Sequence, residues 1–205
     1  MHLDALIARI AATPARNKIR IVALVGAPAS GKSTLAQAIS AHDPSVSVVP
    51  MDGFHLDNPL LEKRGLLARK GSPDSFDALG LVHLLRRFAA GERPIYPTFD
   101  RVTDRSIAGA GEVSETCETV LVEGNYLLLD KPQWRDLKSL WDLTIQVDVP
   151  RDILRIRLLE RWRGFGFSDA EATAKTEGND LPNADFVLQN SSAPDVRVDT
   201  IALMP

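Results

Sequence analysis

Short, densely apolar runs alternate along the chain with longer stretches whose apolar residues recur every three or four positions. Residues 19–25 (IRIVALV) are apolar at nearly every position, as in a strand buried on both faces. Similar runs occur at 46–50, 119–122, 143–149 and 186–188, with an alternating segment at 196–201. Helical spacing marks 32–41, 75–89, 132–140 and 151–162, and residues 2–10 read as an amphipathic helix. Strands alternating with helices predict an α/β fold, a mostly parallel sheet of about five strands with helices on both faces. Ligands of such sheets bind beyond the carboxyl ends of the strands. The polar motifs stand at those ends: residues 26–34 after the first strand, Asp52 after the second and Glu123 after the third. Residues 52–111, rich in Pro, Gly and charge with one clear helix, read as a substrate-binding region rather than filler.

The segment Gly26-Ala27-Pro28-Ala29-Ser30-Gly31-Lys32-Ser33-Thr34 fits GxxxxGK[ST] between an apolar strand and a helical pattern. That context is what a phosphate loop requires. Its glycines let successive backbone N–H groups converge on one anion, Lys32 reaches the β- and γ-phosphates, Ser33 can ligand Mg²⁺, and the helix directs its positive end at the charge. A dinucleotide fingerprint does not fit, because Gly26 is followed by Ala27 and Pro28 rather than by a G-x-G opening. Asp52, in Asp-Gly-Phe-His55, could accept a proton from an attacking hydroxyl or help hold a metal; Asp-Gly is also an ordinary turn dipeptide. Glu123 closes an apolar strand, the arrangement that sets a carboxylate beside Mg²⁺ or its waters. Arg151, Arg155, Arg157, Arg161 and Arg163 crowd one helix ahead of Gly164 and Gly166. Two readings stay open for them. One is a solvated face paired with Asp152 and Glu160; the other is a lid whose arginines close over a transferring phosphoryl group.

Composition narrows the partners. With 205 residues and 44% hydrophobic content, the chain is expected to fold as a single domain, residues 1–205. The net charge of −3, with scattered basic residues, argues against nucleic acid. Cys117 is the only cysteine, so no intrachain disulfide forms and a reducing, cytoplasmic setting is expected. The N-terminal helix carries too much charge for a signal peptide, and no apolar run is of membrane-spanning length. Zinc spacing is absent, leaving phosphate-bound Mg²⁺ as the implied metal. Trp134, Trp141 and Trp162 read as packing groups, and His83 as packing or surface.

The order of motifs resembles the P-loop kinases grouped with uridine kinase, phosphoribulokinase and bacterial pantothenate kinase, over nearly the whole chain after residue 17. Asp52-Gly-Phe-His resembles their acidic motif, whose Asp is the catalytic base. Arg69-Lys-Gly-Ser-Pro-Asp-Ser-Phe-Asp77 resembles the segment opening the helix beside the acceptor, and Ile95 to Arg105 the P-x-Y-D…R acceptor stretch. Glu123-Gly124 matches the family's E-G. Including Asn179-Asp-Leu-Pro-Asn-Ala-Asp185, the pattern is most similar to a bacterial subgroup named for fructose transport or for generic nucleoside/nucleotide kinases. Phe99 stands where uridine kinase has Tyr, and Asp104 where it has His, which turns the reading away from pyrimidine nucleosides.

The resemblance implies a P-loop NTPase three-layer fold with a small lid at about 151–180, an acceptor region at 52–111, and ATP and Mg²⁺ as cofactors. It implies transfer of the γ-phosphoryl group to a hydroxyl of a small metabolite, with a fructose-like sugar first and a nucleoside or pantothenate-type acceptor as alternatives. Expected catalytic residues are Lys32, Asp52, Glu123 and Arg161. Residues 26–34 with Arg157 and Arg163 would hold the nucleotide, Ser33 and Glu123 the metal, and Asp52, His55, Arg69, Asp100, Arg101 and Arg105 the acceptor. The expected partner is a small molecule, with no nucleic acid or membrane, and with a homodimer left open. A regulatory NTP-binding switch is the alternative from another class; the missing N-K-x-D guanine-reading motif and the arginine helix weigh against it.

Overall fold

The computed structural model describes residues 2–199. Its centre is β1 (Arg20–Gly26), which pairs in parallel with β5 (Thr119–Gly124) on one side and β6 (Leu143–Asp148) on the other. With β2 (Val46–Pro50) beyond β5 and β7 (Val196–Asp199) beyond β6, the sheet runs β2-β5-β1-β6-β7, every pair parallel. Residues 200 and 201 of the expected last strand lie outside the described residues.

Alternation along β1 divides the core. Ile21, Ala23 and Val25 pack with Phe54, Phe76, Tyr126 and the buried stripe of α4 (Ala78–Ala89). Val22 and Leu24 face Leu6 and Ile10 of α1 (Leu3–Ala12) and Leu35 and Ile39 of α2 (Lys32–His42). A strand sandwiched in this way has no solvated face, hence its continuous apolar sequence. Trp134 and Trp141 lie in the first of these cores, as read from the sequence.

Register delivers the polar motifs to one edge. Val25 lies opposite Gly124 and Leu24 opposite Glu123, so the loop leaving β1 starts beside the Glu123 backbone. Pro50 lies opposite Glu123 from the other side, which sets Asp52 two residues beyond it, in the 3₁₀ turn Met51–Phe54.

Three sequence expectations change. The apolar triplet 186–188 is not a strand but lies in α7 (Leu181–Asn190). Pro182 sits in that helix's first turn, and Leu181, Ala184 and Val187 make one buried stripe, a period that three residues alone cannot reveal. Residues 132–140 hold only the 3₁₀ turn Arg135–Ser139, because Gln133 takes φ 73°, which a regular helix cannot continue through. Residues 75–77 precede α4 rather than belonging to it; the Asp77 carboxylate accepts from Gly80 N at 2.9 Å and caps the helix.

Inside the 52–111 region, beside the short helix α3 (Asn58–Lys63), the antiparallel hairpin of β3 (Tyr96–Asp100) and β4 (Arg105–Gly111) forms its own two-stranded sheet. Its polar, half-exposed strands carry no apolar run to announce them. The turn is tied by Asp100, whose carboxylate accepts from Val102 N at 2.9 Å and Thr103 Oγ1 at 2.7 Å, and Asp104 closes it at φ 56°. The hairpin rests on Gly53: a Cβ there would overlap the Pro97 carbonyl oxygen and lie 3.2 Å from Thr98 Cα. Ser106 Oγ also donates to the Gly53 carbonyl.

After β6 come α5 (Arg151–Gly164), α6 (Asp169–Lys175), the π-helical turn Thr176–Asp180 and α7. Leu154, Leu158, Leu181 and Ala184 pack together against Ala27, so the α5–α7 unit is seated directly on the phosphate-loop segment.

Gly53→Ala should lift the hairpin off this turn, at a cost of about 1–3 kcal/mol for an overpacked contact. A melting temperature equal to the wild type's would show that the contact yields freely.

Candidate active site

The segment 26–34 adopts the conformation its glycines permit. Gly31, the N-cap of α2, has φ 90°, and Ala29 also lies in the left-handed region at φ 62°. A non-glycine residue held there costs on the order of 1 kcal/mol or more, a strain typical of functional loops. Gly26 has no room for a Cβ, which would run into the Ser30 side chain. Lys32 and Ser33 open α2, so their side chains stand where unpaired backbone N–H groups concentrate positive charge.

Both reach Glu123. Ser33 Oγ donates to Glu123 Oε1 at 3.0 Å, and Lys32 Nζ lies 4.0 Å from Oε2. Glu123 is buried, with 7% of its surface exposed. Burial pushes its carboxyl above the ordinary range and the charge of Asp52 adds to this, while Lys32, the Ser33 hydrogen bond and Arg101 oppose it. A hydroxyl and a carboxylate are hard oxygen donors of the kind Mg²⁺ takes. No cluster of three His, Cys, Asp or Glu gathers among the described residues, so phosphate oxygens and water would have to complete a shell there.

Asp52 faces this group from the end of β2. Arg101, from the hairpin turn, donates through Nη2 to Asp52 Oδ2 at 3.0 Å. His55 is held between Phe76 and Phe99, with ring centroids 4.0 and 4.6 Å away, and its Nδ1–H donates to the Asp52 carbonyl at 2.9 Å. Burial lowers the His55 pKa, only partly offset by Asp52, which leaves the imidazole neutral at neutral pH. Lys70 Nζ donates to Asn58 Oδ1 at 2.6 Å and to the Asp104 carbonyl at 2.9 Å, and pairs with Asp104 Oδ2 at 2.8 Å. Arg105 binds Asp57 through two nitrogens, at 3.1 and 3.3 Å. Among the expected acceptor residues, then, Asp52, His55 and Arg101 converge, Arg105 is engaged with Asp57, Asp100 is engaged in its own turn, and Arg69 is exposed to solvent.

The five arginines of α5 are sorted by their partners. Arg151 pairs with Asp185 at 3.2 Å, Arg155 with Glu177 and Arg163 with Asp169 at 2.6 Å, all three exposed. The partners come from α6, the π turn and α7, not from Asp152 and Glu160 within the helix. Arg157 Nη1 instead approaches the Ser30 carbonyl of the phosphate-loop segment, at 3.5 Å. Arg161 is half-buried beside the rings of Trp162 and Phe165, and it senses the charges of Arg101, Asp180 and Asp52. Arg151, Arg155 and Arg163 therefore form an ion-paired, solvated face with partners other than the expected Asp152 and Glu160, while Arg157 and Arg161 are less exposed.

Sequence reasoning passed over several groups here. Asn58, Asp57 and Lys70 carry the polar network around the hairpin. Tyr126 O–H donates to the Gly71 carbonyl, and Asn179 Nδ2 to the Lys70 carbonyl at 3.3 Å. Trp162, read as packing, donates from its indole to buried Asp180 at 2.6 Å. Lys70 and the Asn179–Asp180 pair had a signal, their places in motifs of the resemblance.

No protein-family model matches the chain. Among solved structures it is similar to a Silicibacter sp. TM1040 protein provisionally named as a fructose-transport-system kinase, 45% identical with a TM-score of 0.92, covering 97% of this chain and 99% of that one. It is 36% identical over 185 residues to the uncharacterized Escherichia coli protein YggC, covering 87% of this chain and 77% of the relative. It is 32% identical over 203 residues to a Schizosaccharomyces pombe protein provisionally named as a uridine kinase, covering 89% and 84%. Bacterial pantothenate kinases also match, and the chain spans about half their length, 49% for the Bacillus velezensis enzyme at 32% identity.

The lowered pKa of His55 gives a signed pH dependence. The unfolded chain binds a proton below its pKa of about 6.5 that the folded chain refuses. Stability from this group is therefore complete above that value and is lost as pH falls toward the folded pKa. Melting temperatures at pH 7.5 and 5.5 should differ more for wild type than for His55→Gln; equal differences would show that burial of this ring has no thermodynamic weight.

Proposed function

The chain belongs to the P-loop kinases related to uridine kinase, pantothenate kinase and phosphoribulokinase, and from that premise we propose that it transfers the γ-phosphoryl group of ATP to a hydroxyl of a small sugar of the fructose type. The observation that carries the reading is the convergence of Lys32, Ser33, Glu123 and Asp52 at the carboxyl ends of three adjacent strands, with the Ser33–Glu123 contact at 3.0 Å. The fructose assignment draws on the name of the Silicibacter relative, and on the cluster of Asp52, Arg101 and neutral His55, which suits hydroxyls that both donate and accept.

In this reading the amides of residues 26–34 cradle the phosphates and Lys32 balances charge on the β- and γ-groups. Ser33 and Glu123 would hold Mg²⁺, which would supply neutralisation of phosphate charge. Asp52 takes the proton of the acceptor hydroxyl as that oxygen bonds to the γ-phosphorus; the bond to the β–γ bridging oxygen breaks and ADP leaves with its electron pair. Arg157, already at the phosphate-loop backbone, and Arg161 meet the charge spread over the transferring group. Among the described residues no helix is long and apolar enough to cross a membrane.

A thermal-shift screen of sugars, nucleosides and vitamins, run with Mg²⁺ and a non-hydrolysable ATP analogue, identifies the acceptor class by mass-action stabilisation. Fructose or a close analogue should give the largest shift; a nucleoside or pantothenate giving it instead would overturn the sugar assignment. Lys32→Ala should abolish transfer, and undiminished turnover would refute the kinase reading. Asp52→Asn should lower kcat by a factor on the order of 10² to 10⁴ with ATP affinity nearly intact. Collapse of ATP affinity with turnover retained would make Asp52 a metal or binding group instead of the base.

A further inference from the structure

Among the acidic residues buried in the structure are Glu123 and Asp180. The first has Lys32 and Ser33 against it. The second closes the π-helical turn Thr176–Asp180, and its Oδ2 accepts from the indole N–H of Trp162 at 2.6 Å. A π turn is a costly interruption of regular helix that recurs at functional sites. Here it bridges two parts of the active site. On one side Asn179 donates to the Lys70 carbonyl, next to Gly71, whose carbonyl Tyr126 holds. On the other side Asp180 grips α5 at Trp162, the residue after Arg161.

Arg157, which approaches the Ser30 carbonyl, and Arg161 stand apart from the other arginines of α5. Arg151, Arg155 and Arg163 each have a carboxylate partner in contact. Arg161 is less exposed than these three, yet among the described residues no carboxylate lies within 4.0 Å of it; Asp180 and Asp52 act on it only at longer range. A shielded guanidinium without a contacting counter-ion is unfavourable unless neighbouring charge holds it there. A direct ion pair would occupy the donors that a phosphoryl group needs.

We propose that Asp180 is a positioning residue: through the Trp162 indole it fixes the rotation of α5, and its charge keeps Arg161 turned inward and uncommitted until a transferring phosphoryl group arrives. This rests on the kinase reading above. The charge of Lys175, whose Nζ lies 4.6 Å from the Trp162 ring centroid, completes the surroundings of that contact.

The test uses the full chain and needs no acceptor: binding of ADP with Mg²⁺, measured by calorimetry with and without aluminium fluoride, a mimic of the transferring group. D180N keeps an oxygen for the indole and removes the charge. It should bind ADP within twofold of wild type and lose roughly 10-fold or more of the affinity gained from aluminium fluoride, the effect of displacing a positioned charge donor. Arg161→Ala should show the same split, and the double variant should lose no more than Arg161→Ala alone, the signature of two residues acting as one. Should D180N not fold, Trp162→Phe tests the contact from the other side; it keeps the ring, drops the N–H, and should weaken only the aluminium fluoride complex. Wild-type affinity in D180N beside a loss in Arg161→Ala overturns the role of Asp180 alone, as do losses that multiply in the double variant. A wild-type chain that gains nothing from aluminium fluoride overturns the phosphoryl-transfer reading and this proposal together.

Discussion

A carboxylate buried at the carboxyl end of a central strand has to be compensated, and the compensation of Glu123 organises everything around it. Its oxygens can be taken out of water only because Ser33 donates to one and Lys32 stands near the other. Those two residues can be there only because the loop before them reverses tightly through Gly31, and because β1 and β5 pair in a register that brings strand end to strand end. The same register, carried one strand further by β2, sets Asp52 close enough for its charge to be felt at Glu123. Two acids and one lysine thus share a region where none of them would be comfortable alone. That is a setting poised for a highly charged ligand, since added phosphate and cation alter a balance that is already tight.

The sheet was legible because burying a strand on both faces leaves a plain mark, an unbroken apolar run, and four of the five such strands were read close to their observed limits. The triplet 186–188 failed for the complementary reason. Three apolar residues satisfy either period, and the deciding facts, Pro182 in a first helical turn and a stripe shared with Leu181 and Ala184, lie in packing against α5. The hairpin was invisible because its strands bury little. It is held by backbone contact at Gly53 and by polar bonds such as Ser106 to the Gly53 carbonyl, neither of which leaves a hydrophobic pattern.

Within the site, local chemistry was readable and long-range partnership was not. The phosphate-loop residues, Asp52 and Glu123 are local to strand ends, so spacing alone located them. The arginine helix could be recognised as unusual, but its residues are told apart only by what lies across from them: Asp169, Glu177 and Asp185 take three, the Ser30 carbonyl approaches a fourth, and Arg161 faces inward. Trp162 shows the same limit. A tryptophan in a helix is most simply packing, and the acid that gives its N–H a purpose lies eighteen residues on, in a turn no periodicity predicts.

The β3–β4 hairpin forms a sheet of its own and lends no strand to the five that carry the phosphate loop. Its exposed positions can therefore drift without disturbing the parallel ladder, provided residue 53 remains small enough to lie under Pro97 and Tyr96 keeps its place in the core. The five-stranded sheet carries the phosphate loop, while the hairpin meets it at Gly53 and through Tyr96, which is buried in the core and donates to the Val48 carbonyl at 3.1 Å. Such a division makes the hairpin a natural unit of divergence and, on the proposed function, the part to exchange when a scaffold of this kind is to be given a different acceptor.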